Sequence, residues 1–508
     1  MSTEAAANPK YRRLLELLAE VEDLQMASAV LYWDQQTLMP KGGAKARSEQ
    51  QTTLRKIAHN FFTSAEIGQL LADLDGWARS LPHDSDEASM VRVARREYDQ
   101  ATRIPAKLVA EQSEASAEAY EAWIAARAAK DFSIFLPALE RIIDLSRQRA
   151  EALGYQGQPL DALIDLREPG LDVAKLETLF GELRATLVPL AKAIAERSAP
   201  GRDALIRGKF ETQRQLDMGL AAVRAIGFDI ADRGRWALSV HPFSITFTPD
   251  DTRITTRVKE EHLGPSFFAL LHEAGHGTYM QGIPQRLRRT ILHEGASAGM
   301  HESQSRLWEN IVGRSRYFWQ FFLPTAKAFF PGQLGDATVE DMYRACNVVQ
   351  PSYIRVEADE VTYNLHIMLR FELEKDVFSG KLAPKDLPEA WRVKFAEYLG
   401  IKPPDDLLGV LQDIHWSGGF GGSFQGYTIG NVTGVALYRK ALADNPGMHQ
   451  EWSRGDFRSL LEWMQVNVHT HGRKFTPEEL LIKATGRGLE AGPYLEHIRE
   501  KYTELYRL

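Results

Sequence analysis

The chain has 508 residues, 44% of them hydrophobic and 25% charged, with a formal charge of −7. That acidic balance argues against nucleic acid or an anionic membrane surface as a partner. The single cysteine, Cys346, excludes an intramolecular disulfide and any thiolate zinc site, and suits a reducing compartment, with the cytoplasm as the expected location.

The N-terminal stretch MSTEAAANPKYRRLLELLAE has no apolar signal-like segment and reads as the start of an amphipathic helix. Tyr11 to Gln25 places Leu14, Leu15, Leu18 and Val21 on one face. Helical periodicity continues near 44–77, 85–128, 131–153, 172–198 and 211–226. It returns near 262–281, 297–330, 353–378, 427–444 and 456–470. No repeat period, Ser/Gly-rich linker or apolar run of about 18 residues interrupts this order. The expectation is one mainly α catalytic domain over residues 1–508, with helical lobes around a deep groove.

One segment departs from the helical period. Ser239 to Thr248 alternates, with His241, Phe243, Ile245 and Phe247 on one side. Pro249-Asp250-Asp251 supplies a turn, and Thr252 to Val258 alternates again, which predicts a β-hairpin.

His272-Glu273-Ala274-Gly275-His276 follows directly and is an HExxH sequence. On a helix, residues i and i+4 share a face, so the two imidazoles suit one tetrahedral Zn²⁺. Glu273 sits beside the metal, where it can take a proton from the activated water. Pro265-Ser266 supplies the helix start. Gly275 and Gly277 are poor helix formers, and close approach of another backbone is one reason for them. Two buried histidines bonded to core carbonyls are the non-metal alternative.

A catalytic zinc needs a third protein ligand, and no HExxHxxGxxH spacing supplies one. Glu302 lies on a following helix, off the apolar stripe of Met300, Leu307, Trp308 and Ile311, so it faces solvent or a polar cleft. His293 and Glu294 compete with it, and periodicity does not choose among them.

These motifs together resemble the carboxypeptidase Taq family of thermostable zinc metallocarboxypeptidases, along nearly the whole chain. HExxH is His272 to His276, and HESQ is His301-Glu302-Ser303-Gln304. DxRxT is Asp251-Thr252-Arg253-Ile254-Thr255, and IRxxAD runs from Ile354 to Asp359. GxxQDxHW runs from Gly409 to Trp416, and Trp33-Asp34-Gln35-Gln36 through Met39 to Ala44 also has the family's look. The resemblance implies a gluzincin-like helical fold with a groove, and zinc (cobalt as a substitute) held by His272, His276 and Glu302. It further implies a homodimer and removal of single C-terminal residues with broad specificity. Where the family commonly reads GYFPTYALG, this chain has Ser423 and Gln425 in place of a tyrosine and the proline. It keeps Tyr427, and a more mobile glycine loop is expected before it.

An exopeptidase must recognise a free carboxylate, which a guanidinium does bidentately. Arg355 is the leading candidate and Arg253 the second. A helix-surface ion pair with Asp359 at i+4 is the plainer reading of Arg355. Tyr427 and His415 are candidates for oxyanion stabilisation, and His241 for holding the peptide backbone. The rivals are an endo-acting, thimet-like oligopeptidase and a non-catalytic helical peptide-binding protein.

Overall fold

The computed structural model describes residues 8–197 and 203–508. Met1–Ala7, the start of the predicted first helix, and Ser198 lie outside the described residues. The described chain is mainly α-helical with one three-stranded sheet, and divides into two units. The first gathers Met1–Thr102, Asp203–Cys346 and Leu437–Gly488. The second gathers Arg103–Arg202, Asn347–Ala436 and Leu489–Leu508.

In the first unit, Asn8 caps the helix Pro9–Thr37 by accepting from the backbone N–H groups of Lys10 and Tyr11. Its Leu14, Leu17 and Leu18 are buried in one cluster with Ile67, Leu71 and Leu74 of the helix Ala65–Ser80. The stretch 44–77 breaks after Ala44–Phe62, where Ser64 turns extended. The stretch 85–128 breaks before Pro105, which disfavours helical backbone at the residue it follows.

The sheet has the order β1 (Gly234–Leu238), β3 (Asp251–Thr256), β2 (Ser244–Thr248). The predicted hairpin is the antiparallel β2–β3 pair, begun at Ser244 rather than Ser239. His241 therefore lies in the connection before the strand, exposed. Parallel β1 was not predicted, because Gly-Arg-Trp-Ala-Leu has no apolar alternation to announce it.

The helix Leu263–Gln281 carries HExxH and is almost wholly buried. Phe267 packs its N-terminal half against Phe318, Trp319 and Phe322 of the helix Arg316–Phe329. The predicted helix 297–330 is three pieces: Ala298–Arg306, a π-helical segment Leu307–Val312, and Arg316–Phe329. Such wide turns inside a helix recur at functional sites, since they re-aim the side chains beyond them.

In the second unit, the predicted helix 353–378 starts only at Tyr363. Asp359 accepts from the backbone N–H groups of Val361 and Thr362 and so opens the helix there. Arg355 sits earlier, in the short 3₁₀ turn Arg355–Glu357. The C-terminal helix Gly492–Tyr506 anchors this region: the Tyr494 hydroxyl joins Asn364 and the Glu360 carbonyl, and the Tyr502 hydroxyl donates to the Glu360 carboxylate. Among the described residues, no helix is long and apolar enough to cross a membrane.

Candidate metal centre and carboxylate-binding cluster

Gly275 explains how two helices come close enough to share a site. A Cβ there would lie 2.6 Å from the Gln304 carbonyl oxygen and 2.7 Å from Ser305 Cα. Any side chain would push apart the helix bearing His272 and His276 and the helix bearing Glu302. At Gly277 an added Cβ would instead meet the Phe228 ring at 2.4 Å.

This approach puts Glu302 Oε2 at 3.6 Å from His272 Nε2 and 3.5 Å from His276 Nε2. Donors at about 2.0–2.2 Å from a tetrahedral ion stand roughly 3.3–3.6 Å apart, so the spacing fits a metal. His272, His276 and Glu302 are the group of His, Cys, Asp or Glu side chains able to hold an ion among the described residues. His293 and Glu294 are outside it. His293 Nδ1 lies 3.1 Å from Glu22 Oε1 in the interior, and Glu294 is exposed.

The remaining polar atoms of the ligands are held by neighbours. His272 Nδ1 meets Glu309 Oε2 at 2.9 Å, and His276 Nδ1 meets His301 Nδ1 at 2.8 Å. Burial and His276 hold His301 down at about 3, so it is neutral. With His276 Nε2 turned to the metal position, its Nδ1–H donates and His301 Nδ1 accepts. Arg306 donates through Nε to Glu302 Oε1 at 2.7 Å and through Nη1 to Glu309 Oε2 at 3.1 Å. Arg314 adds a bond to Glu309 Oε1 at 3.2 Å. Burial pushes the Glu302 and Glu309 carboxyls up, but Arg306 and the histidines outweigh it and hold both well below the usual range. Burial pushes His272 down, yet Glu302 and Glu309 raise it to about 9. Glu273 is buried beside them, its carboxyl raised by burial against the pull of His272 and His276.

Glu309, Arg306 and Arg314 were not singled out in the sequence. The spacing of seven between Glu302 and Glu309 was a usable signal, since it returns a helical residue to nearly the same face.

Arg253 holds Asp251 bidentately, with both bonds at 2.8 Å, and lies over the rings of Trp33 and Phe247. In the second unit, the partner of Arg355 is Asp413 rather than Asp359. Arg355 Nε and Nη2 reach Asp413 Oδ1 at 3.1 and 2.8 Å, and Nη1 donates to the Tyr363 hydroxyl at 2.9 Å. Gln412 Oε1 accepts from the Arg355 backbone N–H, while Gln412 Nε2 donates to the Tyr353 carbonyl. The adjacent residues Gln412 and Asp413 thus fix both the main chain and the fork of one arginine. Asp413 also binds Arg370, at 2.7 Å to Nε and 2.6 Å to Nη2.

Tyr427 and His415 come together in this cluster, with 3.2 Å between His415 Nε2 and the hydroxyl. The Arg355 guanidinium lies 4.9 Å from the Tyr427 ring centre. Burial lowers His415 to about 4, despite the nearby Asp413, so the imidazole is neutral. The glycine loop before Tyr427 is packed. Gly422, at φ +75°, has no room for a Cβ against the Leu163 backbone, and Gln425 donates to the Gly422 carbonyl.

A family model described as carboxypeptidase Taq (M32) metallopeptidase matches residues 13–502. The thermostable carboxypeptidase 1 of Thermus thermophilus is 39% identical, with 100% of each chain covered. Carboxypeptidase 1 of Bacillus subtilis is 36% identical over 98% of this chain and 99% of its own. The crystal structure of an M32 carboxypeptidase from Deinococcus radiodurans superposes with a TM-score of 0.95 at 45% identity. It covers 99% of this chain and 100% of its own.

Proposed function

The chain belongs to the carboxypeptidase Taq (M32) family of metallopeptidases, and from that premise we propose how this metallocarboxypeptidase divides its work among its residues. It is a hydrolase of peptides that depends on a divalent metal. We read the metal as zinc, held by His272, His276 and Glu302. Two imidazoles and one carboxylate are a donor set characteristic of catalytic zinc, and their mutual distances support this reading. When bound, the metal supplies Lewis acidity, activating a water and polarising the scissile carbonyl.

Glu273 accepts the proton of the attacking water and returns it to the leaving amine. Its raised affinity for a proton, caused by burial, suits a base that must later act as an acid. Arg355 grips the C-terminal carboxylate of the peptide. Tyr427 donates its hydroxyl hydrogen to the developing oxyanion, with neutral His415 steadying that hydroxyl. Exposed His241 steadies the peptide backbone, and the hairpin residue Arg253 is the second guanidinium offered to the peptide carboxylate. The reading extends to broad specificity, one catalytic domain, a cytoplasmic location and a homodimer, on the strength of the family resemblance and the single cysteine.

The observation that carries the proposal is the triad of donors with Glu273 buried beside it. Purified protein is expected to hold one zinc per chain and to lose it in Glu302→Ala but not in Glu294→Ala. A free-acid peptide should yield a mass ladder shortened one residue at a time from its C-terminus. Zinc retained in Glu302→Ala and lost in Glu294→Ala would move the third ligand to Glu294. Internal fragments in place of a ladder would favour the endo-acting alternative.

A further inference from the structure

Arg355 and Arg253 each already hold an aspartate, so a bidentate fork alone does not single out the better anion receptor. The difference lies in what else the aspartate binds. The pair Arg253–Asp251 is neutral. Asp413 is shared by two guanidinium groups, Arg355 on Oδ1 and Arg370 on Oδ2. Within this trio, two cations on one anion leave one positive charge over.

Arg370 never reaches solvent: its side chain is 0% exposed, against 6% for Arg355. Its Nη1 donates to the His366 carbonyl at 2.6 Å, and the rings of Trp391 and Phe424 lie 4.5 and 5.4 Å from its guanidinium. Burying a second arginine is costly unless its charge is used or paired. Arg355–Asp413 alone would already be a satisfied neutral pair.

We propose that Arg370 is a positioning and specificity residue for the substrate carboxylate. By taking one oxygen of Asp413, it leaves the Arg355 end of the cluster with an unspent positive charge that a C-terminal carboxylate neutralises. Arg370 does not touch the peptide and acts through Asp413 and Arg355. The inference rests on the reading of Arg355 as the carboxylate anchor. The charged or titratable groups facing Arg370 are Asp413, Arg355 and His415, with Tyr363, His366 and Glu374 of its own helix.

The test compares the zinc-loaded enzyme with Arg370→Gln, Arg370→Lys and Arg355→Ala, using one peptide as free acid and as C-terminal amide. Arg370→Gln should raise KM for the free acid about tenfold, leave kcat within about twofold and leave the amide unchanged. Arg370→Lys retains the charge without the fork, so near pH 6 its KM should approach the wild-type value. A buried lysine loses its proton more readily than an arginine. Its KM for the free acid should therefore climb towards that of Arg370→Gln between pH 7 and 9.5, relative to the wild type at each pH. That pH response decides the matter even if Arg370→Gln does not fold, because a purely structural role for Arg370 would not titrate. Equal losses on acid and amide, or a lysine variant whose KM runs parallel to the wild type at every pH, would overturn the proposal. If Arg355→Ala leaves the preference for acid over amide intact, the anchor reading itself fails. If Arg355→Ala abolishes that preference while the Arg370 variants keep it, this inference fails alone.

Discussion

His272 Nδ1 and Glu309 Oε2 lie 2.9 Å apart, joining the imidazole of a proposed metal ligand to a carboxylate on the π-helical segment Leu307–Val312. With Nε2 given to a metal, this bond would keep the remaining ring proton on Nδ1, and it holds Nε2 towards Glu302. Arg306 and Arg314 keep Glu309 ionised, so the acceptor is charged and the imidazole more basic as a ligand. Replacing Glu309 by Gln should weaken metal affinity about 10- to 100-fold while the protein stays folded. Competition against a chromogenic chelator measures this, and unchanged affinity would remove Glu309 from the support of the site.

Gly275→Ala places a methyl group against the backbone at Gln304 and Ser305. Backbone gives way less readily than a side chain, so the cost should be about 1–3 kcal/mol or more. The separation of the two helices should also deplete the metal. Melting temperature and metal content should fall together. A variant that melts like the wild type with its full metal content would show that the helices tolerate the extra carbon.

Replacing Glu273 by Gln keeps size and hydrogen bonding but removes proton transfer. Turnover should drop by at least about 10² with the metal content unchanged. Near-normal turnover in the metal-loaded variant would exclude Glu273 as the base.

Glu374 is buried in the second unit, with Trp416 Nε1 donating to its Oε1 at 2.8 Å. Burial raises its carboxyl from the ordinary 4.5 to about 7, against the opposing pull of Trp416 and Arg370. A carboxyl raised on folding favours the native state below its unfolded pKa and loses that advantage as pH rises through its folded pKa. The loss should fall between about pH 4.5 and 7 and amount to about 3 kcal/mol, at 1.36 kcal/mol per unit. Glu374→Gln keeps an acceptor for Trp416 and does not ionise. Its melting temperature should match the wild type near pH 5 and exceed it at pH 8. A difference that does not change with pH would contradict this.

Helices and the hairpin were legible because each rests on local pattern, and the grouping of His272, His276 and Glu302 followed the HExxH motif and the family resemblance. Gly275 was legible too: a poor helix former in a buried helix implied a close backbone, and the helix Ala298–Arg306 is that backbone. What escaped depends on partners distant in sequence. Arg355 was read on a helix beside Asp359, but Asp359 is spent on opening that helix, and the true partner, Asp413, is 58 positions away. Periodicity carries no information about such a pairing. Parallel β1 was missed for the same reason, since its ladder to β3 is set by tertiary packing rather than by alternation in Gly234–Leu238. Burial of Glu302 was only half visible. Its place off the apolar stripe was right, but the arginine that makes a buried carboxylate tolerable, Arg306, lies on the polar side, where pattern does not distinguish solvent from a site.

The most direct test of the central claim, that this enzyme works from a free C-terminus gripped by Arg355, is a double cycle on kcat/KM. One axis amidates the peptide C-terminus, and the other replaces Arg355 by Ala. A charge-assisted pair is worth about 1.5–3 kcal/mol, so each change alone should cost roughly 10- to 200-fold. Both together should cost little more than either, because they break the same interaction. Penalties that multiply, or an enzyme indifferent to amidation, would contradict the claim.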